Sequence, residues 1–172
     1  VRYSEGLNAT FDLGIHDQAC WLVFHGQNPF LTSRGLQVQA DHFNPMAYLL
    51  APLYVIWDDP RVLLLVQTVV LGSGAIPVYL LARRRVQSQG LAVLLAVLYL
   101  CQPCLMFANF FDFHFTTLLS TPLLWACYGL ELNDSRAYYA ALITGLLCSE
   151  TAAMSMLGLV LLAFLRSGWK RS

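Results

Sequence analysis

The sequence predicts an all-α, polytopic helical membrane protein with an interfacial external helix and several short or broken spans. Three observations carry that expectation. Hydrophobic residues make up 58% of the 172 residues and charged residues only 12%, whereas soluble domains average about 25% charged. Several apolar runs approach the roughly 20 residues that a span requires. One of them ends on Arg83-Arg84-Arg85, a cationic cluster of the kind that marks a cytoplasmic loop. A mean hydropathy of +0.58 argues against a single soluble core, and a net charge of zero lacks the basic footprint of a nucleic-acid binder.

The chain divides into an external or interfacial segment, residues 1–44, and a transmembrane helical region, residues 45–172. In the first segment, Phe11–Phe24 reads as a short amphipathic helix, with Ile15, Ala19, Leu22 and Val23 at helical spacing. Its Trp and Phe content beside polar groups suits the membrane–water interface, and Asn28-Pro29 breaks it. The apolar stretch from Asn44-Pro45 to Trp57 is short and contains Pro52. It predicts a re-entrant or short tilted helix. Asp58-Asp59-Pro60 stops it, and Pro60 opens the next helix.

Val62–Ala82 is a clear span containing Gly72, Gly74 and Pro77, which neighbouring helices make tolerable. Leu91–Phe111 is a second span, interrupted by Pro103, and Phe115–Leu130 a shorter run containing Pro122. Phe107, Phe110, Phe111, Phe113 and Phe115 predict an interfacial aromatic belt. Ala137–Leu165 is apolar except around Ser149-Glu150-Thr151. The sequence starts at Val1 and stops just after an apolar run, which reads as a piece of a longer protein.

Cys20, Cys101, Cys104, Cys127 and Cys148 form no disulfide framework, being odd in number and scattered. Cys101-Gln102-Pro103-Cys104 is formally C-x-x-C, but it lies within an apolar run, where buried cysteine behaves as a small hydrophobe. Asn8-Ala9-Thr10 matches the N-glycosylation pattern, a short pattern that also arises by chance.

Placing Arg83–Arg85 inside sets the orientation. Arg136 then falls inside, and Asp112-Phe113-His114 outside. Ala137–Leu165 reads as a hairpin of two short helices broken near Glu150. That arrangement keeps Arg166, Lys170 and Arg171 inside and removes a carboxylate from mid-bilayer, where it costs about 2.5–3.5 kcal/mol on insertion scales. Under this topology Glu5, Asp12, Asp17, Asp41, Asp58, Asp59, Asp112 and Glu150 lie outside or open to it, as do His16, His25, His42 and His114. Glu131 and Asp134 are inside, and Arg2, Arg34 and Arg61 outside.

Two groups of residues could carry chemistry. Asp12 and His16 stand at i, i+4 and share a helix face with Asp17 nearby. Asp112 and His114 lie between two spans with Glu150 beyond, and His42 could join either group. A carboxylate cluster at a membrane surface can act as a general base or hold a divalent cation through oxygen ligands. An intramembrane Glu150 is a functional candidate by default. Against this stands a structural reading, in which Asp12 caps a helix and Asp112 and His114 end spans in water.

Three motifs occur in order: Phe11-Asp12-Leu13-Gly14-Ile15-His16-Asp17-Gln18, His42-Phe43-Asn44-Pro45 and Phe111-Asp112-Phe113-His114. With Pro52-Leu53-Tyr54 and the run Ala75–Arg83, the chain resembles the membrane-protein family catalogued as domain of unknown function 2079. That family is similar in pattern to the C superfamily of membrane glycosyltransferases. The resemblance implies a polyprenyl-phosphate-linked sugar donor and an acid in the first external loop, often beside a divalent cation. Asp12 or Asp17 would fill that place, with Asp17 preferred because Asp12 has the capping alternative. His42, Asp112, His114 and Glu150 would surround the site. Arg34 would neutralise the lipid phosphate. Where family members often carry Lys-Glu-Asp, this chain has Ser149-Glu150-Thr151, so one of two acids is missing. The resemblance also implies a first spanning helix and a C-terminal half beyond the residues read here, as expected of a piece of a longer protein.

The implied function is that of a glycosyltransferase-like protein of a prokaryotic plasma membrane, with residues 1–44 external. A membrane transporter or lipid-handling protein is the alternative, since broken helices suit that class, and a non-catalytic membrane scaffold is the third. The partner that composition itself implies is the lipid bilayer.

Overall fold

The computed structural model describes residues 10–169. Glu5, Arg2, Lys170, Arg171 and the Asn8-Ala9-Thr10 pattern lie wholly or partly outside the described residues, as do the side chains of Asp41 and Arg166. The described chain is helical apart from one small hairpin.

Helix α1 runs Thr10–Phe24. It buries Leu13, Ile15, Ala19 and Cys20, while Leu22 and Val23 are only half-buried. The buried face therefore differs from the one that spacing predicts. The reason is that α1 is covered from two directions. Helix α3 and the turn after it pack on one side, and the Phe113 and Phe115 rings meet His16 on another. Gly26, at φ +63, ends the helix in the left-handed conformation common after a helix C-terminus. Strands β1 (Phe30–Leu31) and β2 (Leu36–Gln37) follow as an antiparallel pair. Two residues per strand are too few for alternation to be read from sequence.

A single turn, α2 (Val38–Asp41), leads to α3 (Met46–Leu50), which passes directly into a 3-10 turn over Ala51–Val55. Pro45 precedes α3 and Pro52 sits in the first turn of the 3-10 segment, positions where a missing N–H costs nothing. Helices α4 (Arg61–Ser73) and α5 (Ala75–Arg85) run on as one apolar rod, Arg61–Arg85. At 1.5 Å per residue it is about 37 Å long, enough to cross a bilayer. The Tyr99 hydroxyl occupies the space that a Cβ at Gly74 would need.

Helices α6 (Gln89–Leu100) and α7 (Pro103–Phe110) are bent by 43° at the break before Pro103. A 3-10 turn over Phe115–Leu119 enters α8 (Ser120–Leu132). Asn133 closes α8 in the left-handed conformation, and the Asp134 carboxylate accepts from the Arg136 and Ala137 amides to start α9 (Ser135–Leu146). Helix α10 (Ala152–Trp169) follows the break at Glu150. Gly145 near the end of α9 faces Met156 near the start of α10, while Val160 and Phe164 share a cavity with Ser135 and Tyr139 at the start of α9. The two helices are therefore antiparallel, and the hairpin that the charge pattern predicts is present.

Among the described residues, one helix is long and apolar enough to cross a membrane, and the bent α6–α7 pair makes a second if it is one span. The all-α class and the short and broken helices are as expected, while of the several spans expected only the Arg61–Arg85 rod is clear. The aromatic belt divides. Phe107, Phe110 and Phe111 are exposed, but Phe113 and Phe115 are core residues, because the chain turns inward beneath α1. Cys101 and Cys104 are exposed rather than buried, and both are free thiols.

Candidate functional site

Three chain breaks meet at one end of the helices. The first lies between α2 and α3. There the Gln39 side-chain amide donates to the Asn44 carbonyl and accepts from the Asn44 N–H, and the Met46 amide donates to the Leu147 carbonyl at 3.1 Å. The second is the Phe111–His114 loop after α7. The third is the Ser149–Thr151 break before α10. Beside the N-terminal half of α1 they enclose a cavity of about 210 Å³. Asp12, His16, Arg34, His42, His114 and Glu150 all line it.

Two histidine–acid pairs occupy this cavity. His42 Nδ1 lies 2.7 Å from Glu150 Oε1. That bond, more than any other influence, holds the Glu150 carboxyl below its usual range. With Nδ1 donating to the carboxylate, Nε2 is left as the ring's basic nitrogen. On the other wall, His114 Nε2 lies 3.3 Å from Asp12 Oδ2, and Nδ1 lies 3.1 Å from the Asp112 carbonyl. Nδ1 can only donate to a carbonyl. The Nε2–Asp12 contact then needs one more proton, held by the ring or by the carboxyl. The His16 ring packs edge-on against His114, with centroids 5.5 Å apart.

Asp112 is buried and does not line the cavity. Neither of its carboxylate oxygens completes a hydrogen bond among the described residues. Burial pushes its carboxyl up, opposed by the Leu13 and Asp12 amides at the start of α1. Its chemistry is thus directed at the α1 N-terminus, where a carboxylate is favoured.

Asp17 lies apart. It lines a separate recess with Phe11, Gln18, Trp21 and Thr32, and Tyr54 donates to it at 2.6 Å. Burial raises its carboxyl, the Tyr54 hydrogen bond opposes this, and Asp58 and Asp59 add to the rise. The structure therefore brings Asp12, Arg34, His42, His114 and Glu150 together and leaves Asp17 and Asp112 outside. Among the described residues, no three His, Cys, Asp or Glu side chains are grouped to hold a metal ion.

The family described as "predicted membrane protein (DUF2079)" matches residues 4–172. The chain belongs to that family. No curated protein and no solved structure matches it. Membership agrees with the apolar Arg61–Arg85 rod, and the three sequence stretches that carry the resemblance converge here. The Asp12, His42 and His114 motifs each supply one wall of the cavity.

Sequence reasoning missed Gln67 and understated Tyr54. Gln67 is a single amide within an apolar span, and its signal was that isolation. Tyr54 belongs to the Pro52-Leu53-Tyr54 motif, but nothing in the spacing tied it to Asp17, 37 positions away.

Proposed function

We propose that this DUF2079 chain is part of a glycosyltransferase-like membrane enzyme moving sugar from a polyprenyl-phosphate donor. The site would open on the external face of a prokaryotic plasma membrane. The observation that carries the reading is the facing of two histidine–acid pairs, Asp12–His114 and His42–Glu150, across one small cavity that also holds Arg34. Group transfer to a hydroxyl needs a base for the incoming proton and charge stabilisation for the departing phosphate.

A second cavity of about 500 Å³ supports an amphiphilic donor. It is almost wholly apolar, with Leu50, Val66, Val70 and Trp125 among its lining. The same three stretches line both cavities. Asn44, Thr116 and Ser149 face the polar one, and Met46, Leu118 and Cys148 the apolar one. A phosphate-headed lipid has the matching division of character.

In this reading the acceptor hydroxyl gives its proton to His42 Nε2 as its oxygen bonds to the sugar's anomeric carbon. The bond from that carbon to the phosphate oxygen breaks, and the lipid phosphate leaves with the electron pair. Arg34 and the Asp12–His114 pair, carrying its extra proton, stabilise the phosphate. Asp12 is the acid we assign to the chemistry, and Asp17 to holding α1 through Tyr54. A divalent cation beside Asp12 is compatible with the assignment and not required by it.

The test is transfer from labelled polyprenyl-phosphate sugars by the full-length protein in proteoliposomes. Asp12→Asn is expected to lower the rate at least about 100-fold. Full transfer by that variant would sink the assignment. A transporter is the second reading, favoured by the α6–α7 bend and the break at Glu150. Flux of a lipid-linked sugar across the vesicle without transfer would select it. A scaffold would tolerate loss of all four paired residues.

A further inference from the structure

Gln67 is fully buried in α4, on the rod that is long and apolar enough to cross a membrane. An amide in that position is costly unless both of its ends are satisfied. Both are. Nε2 donates to the Ala108 carbonyl in α7 at 3.0 Å, and Oε1 accepts from the His114 backbone amide at 3.2 Å. One side chain thus grips the chain on both sides of the Phe111–Phe113 segment. The next residue, Thr68, adds a 2.9 Å contact to Asn109.

The gripped segment is the one that delivers His114 to the cavity. Within it Phe113 is fully buried, and Asp112 turns its carboxylate to the start of α1. Among the described residues, four groups meet the His114 ring. Its Nδ1 meets the Asp112 carbonyl, its Nε2 meets Asp12, Phe111 stacks on it at 5.8 Å, and His16 meets it edge-on. None of these neighbours sits on α4. The link from α4 to this ring runs through the His114 amide and Gln67 Oε1.

We propose that Gln67 is a positioning residue, setting the His114 imidazole against Asp12 by fixing both ends of the loop between α7 and the Phe115–Leu119 turn. A polar side chain between membrane helices is otherwise simply helix-to-helix glue. The two roles differ in what they touch. Glue needs only the Nε2 bond to Ala108, whereas positioning needs the Oε1 bond to His114. The inference rests on the proposed function only in counting His114 among the working groups.

The test uses the full-length protein in nanodiscs with ¹⁵N-labelled histidine. Asp12→Asn defines the His114 ring signals when the Asp12 contact is lost. Gln67→Met removes both hydrogen bonds at nearly constant volume. It is expected to move the His114 ring signals toward their Asp12→Asn positions while leaving those of His42 in place. Unchanged His114 signals in a folded Gln67→Met protein would overturn the proposal. Gln67→Glu, whose neutral carboxyl offers the same donor and acceptor, is expected to keep the wild-type signals. A shift as large as that of Gln67→Met would also overturn it. Should Gln67→Met not fold, hydrogen exchange in the wild type decides. The His114 amide is expected to be protected, and exchange as fast as in an exposed loop refutes the bond to Gln67. No readout needs a substrate, so failure of sugar transfer and failure of this proposal are separate results.

Discussion

The Tyr54 hydroxyl donates to Asp17 Oδ1 across 2.6 Å, joining the 3-10 turn after α3 to the middle of α1. Tyr54 is almost completely buried, so this bond is shielded from water and fixes how α1 lies on the apolar turn. It also gives Asp17 a structural occupation, although the resemblance to known families favours Asp17 as the catalytic acid.

Replacing Asp17 separates the two roles. Its carboxyl is raised above the ordinary value of 3.8, chiefly by burial. A raised acid favours the fold fully below that value, and the benefit is lost as pH rises through the raised one. At neutral pH the buried charge is therefore a cost. Asp17→Asn keeps an acceptor for Tyr54 and removes the charge. It should melt no lower than the wild type at pH 7, with any advantage gone below pH 3.8. Tyr54→Phe, by contrast, should lose about 1.5–3 kcal/mol, the worth of a hydrogen bond to a charged group. If Asp17→Asn is stable yet abolishes transfer, Asp17 returns to the chemistry.

The His42–Glu150 pair predicts the opposite balance. Its side chains are 53% and 42% exposed, so the pair is worth at most about 1 kcal/mol of stability. The Glu150 carboxyl is held below its ordinary 4.5. Its contribution is present above pH 4.5 and is lost as pH falls through the lowered value. Melting curves of wild type and Glu150→Gln should differ slightly at pH 7 and converge in acid. Transfer should fall about 100-fold in the variant, since the carboxylate no longer orients Nδ1. A large loss of stability at neutral pH would show that the pair is structural.

How much of this was legible follows from which forces act locally. Prolines and the Asp58-Asp59-Pro60 stop act within one helical turn, so helix limits near Arg61 and Pro103 could be read directly, whereas the Asp134 cap that starts α9 is seen only in the structure. The hairpin about Glu150 could be read because charge and hydropathy both oppose a continuous helix there. The meeting of Asp12 with His114, and of His42 with Glu150, could only be grouped by side, since the partners are far apart in sequence. The separation of Asp17 from Asp12 was not legible. It depends on Tyr54 and on the burial of Phe113 and Phe115, which apolar periodicity alone assigns to a belt.

Close packing of α8 on α9 makes a further prediction. A Cβ on Gly129 would lie 2.6 Å from the Tyr138 nitrogen and 2.9 Å from its Cα. Backbone cannot rotate aside, so Gly129→Ala must spread the two helices, at a cost of about 1–3 kcal/mol. Gly72 is helical too, but a Cβ there meets nothing within 4 Å. Gly72→Ala should therefore hold or gain up to about 1 kcal/mol. Thermal unfolding in one detergent compares the pair. Equal behaviour would mean that α8 and α9 do not pack this closely.

Sidedness is the prediction on which the functional reading most depends. Arg85 pairs with Glu131 at 2.6 Å, and Arg136 starts α9 beside them. The Asp12–His114 and His42–Glu150 pairs sit at the other end of the Arg61–Arg85 rod. Short loops rich in arginine stay cytoplasmic, which predicts an external cavity. In a cysteine-free background, Ser33→Cys should react with an impermeant maleimide on right-side-out vesicles. Ser88→Cys, three residues after Arg85, should react only after the membrane is opened. Labelling of Ser88→Cys on sealed vesicles would invert the protein. The two histidine–acid pairs would then face the cytoplasm, and an externally displayed lipid-linked donor could not reach them.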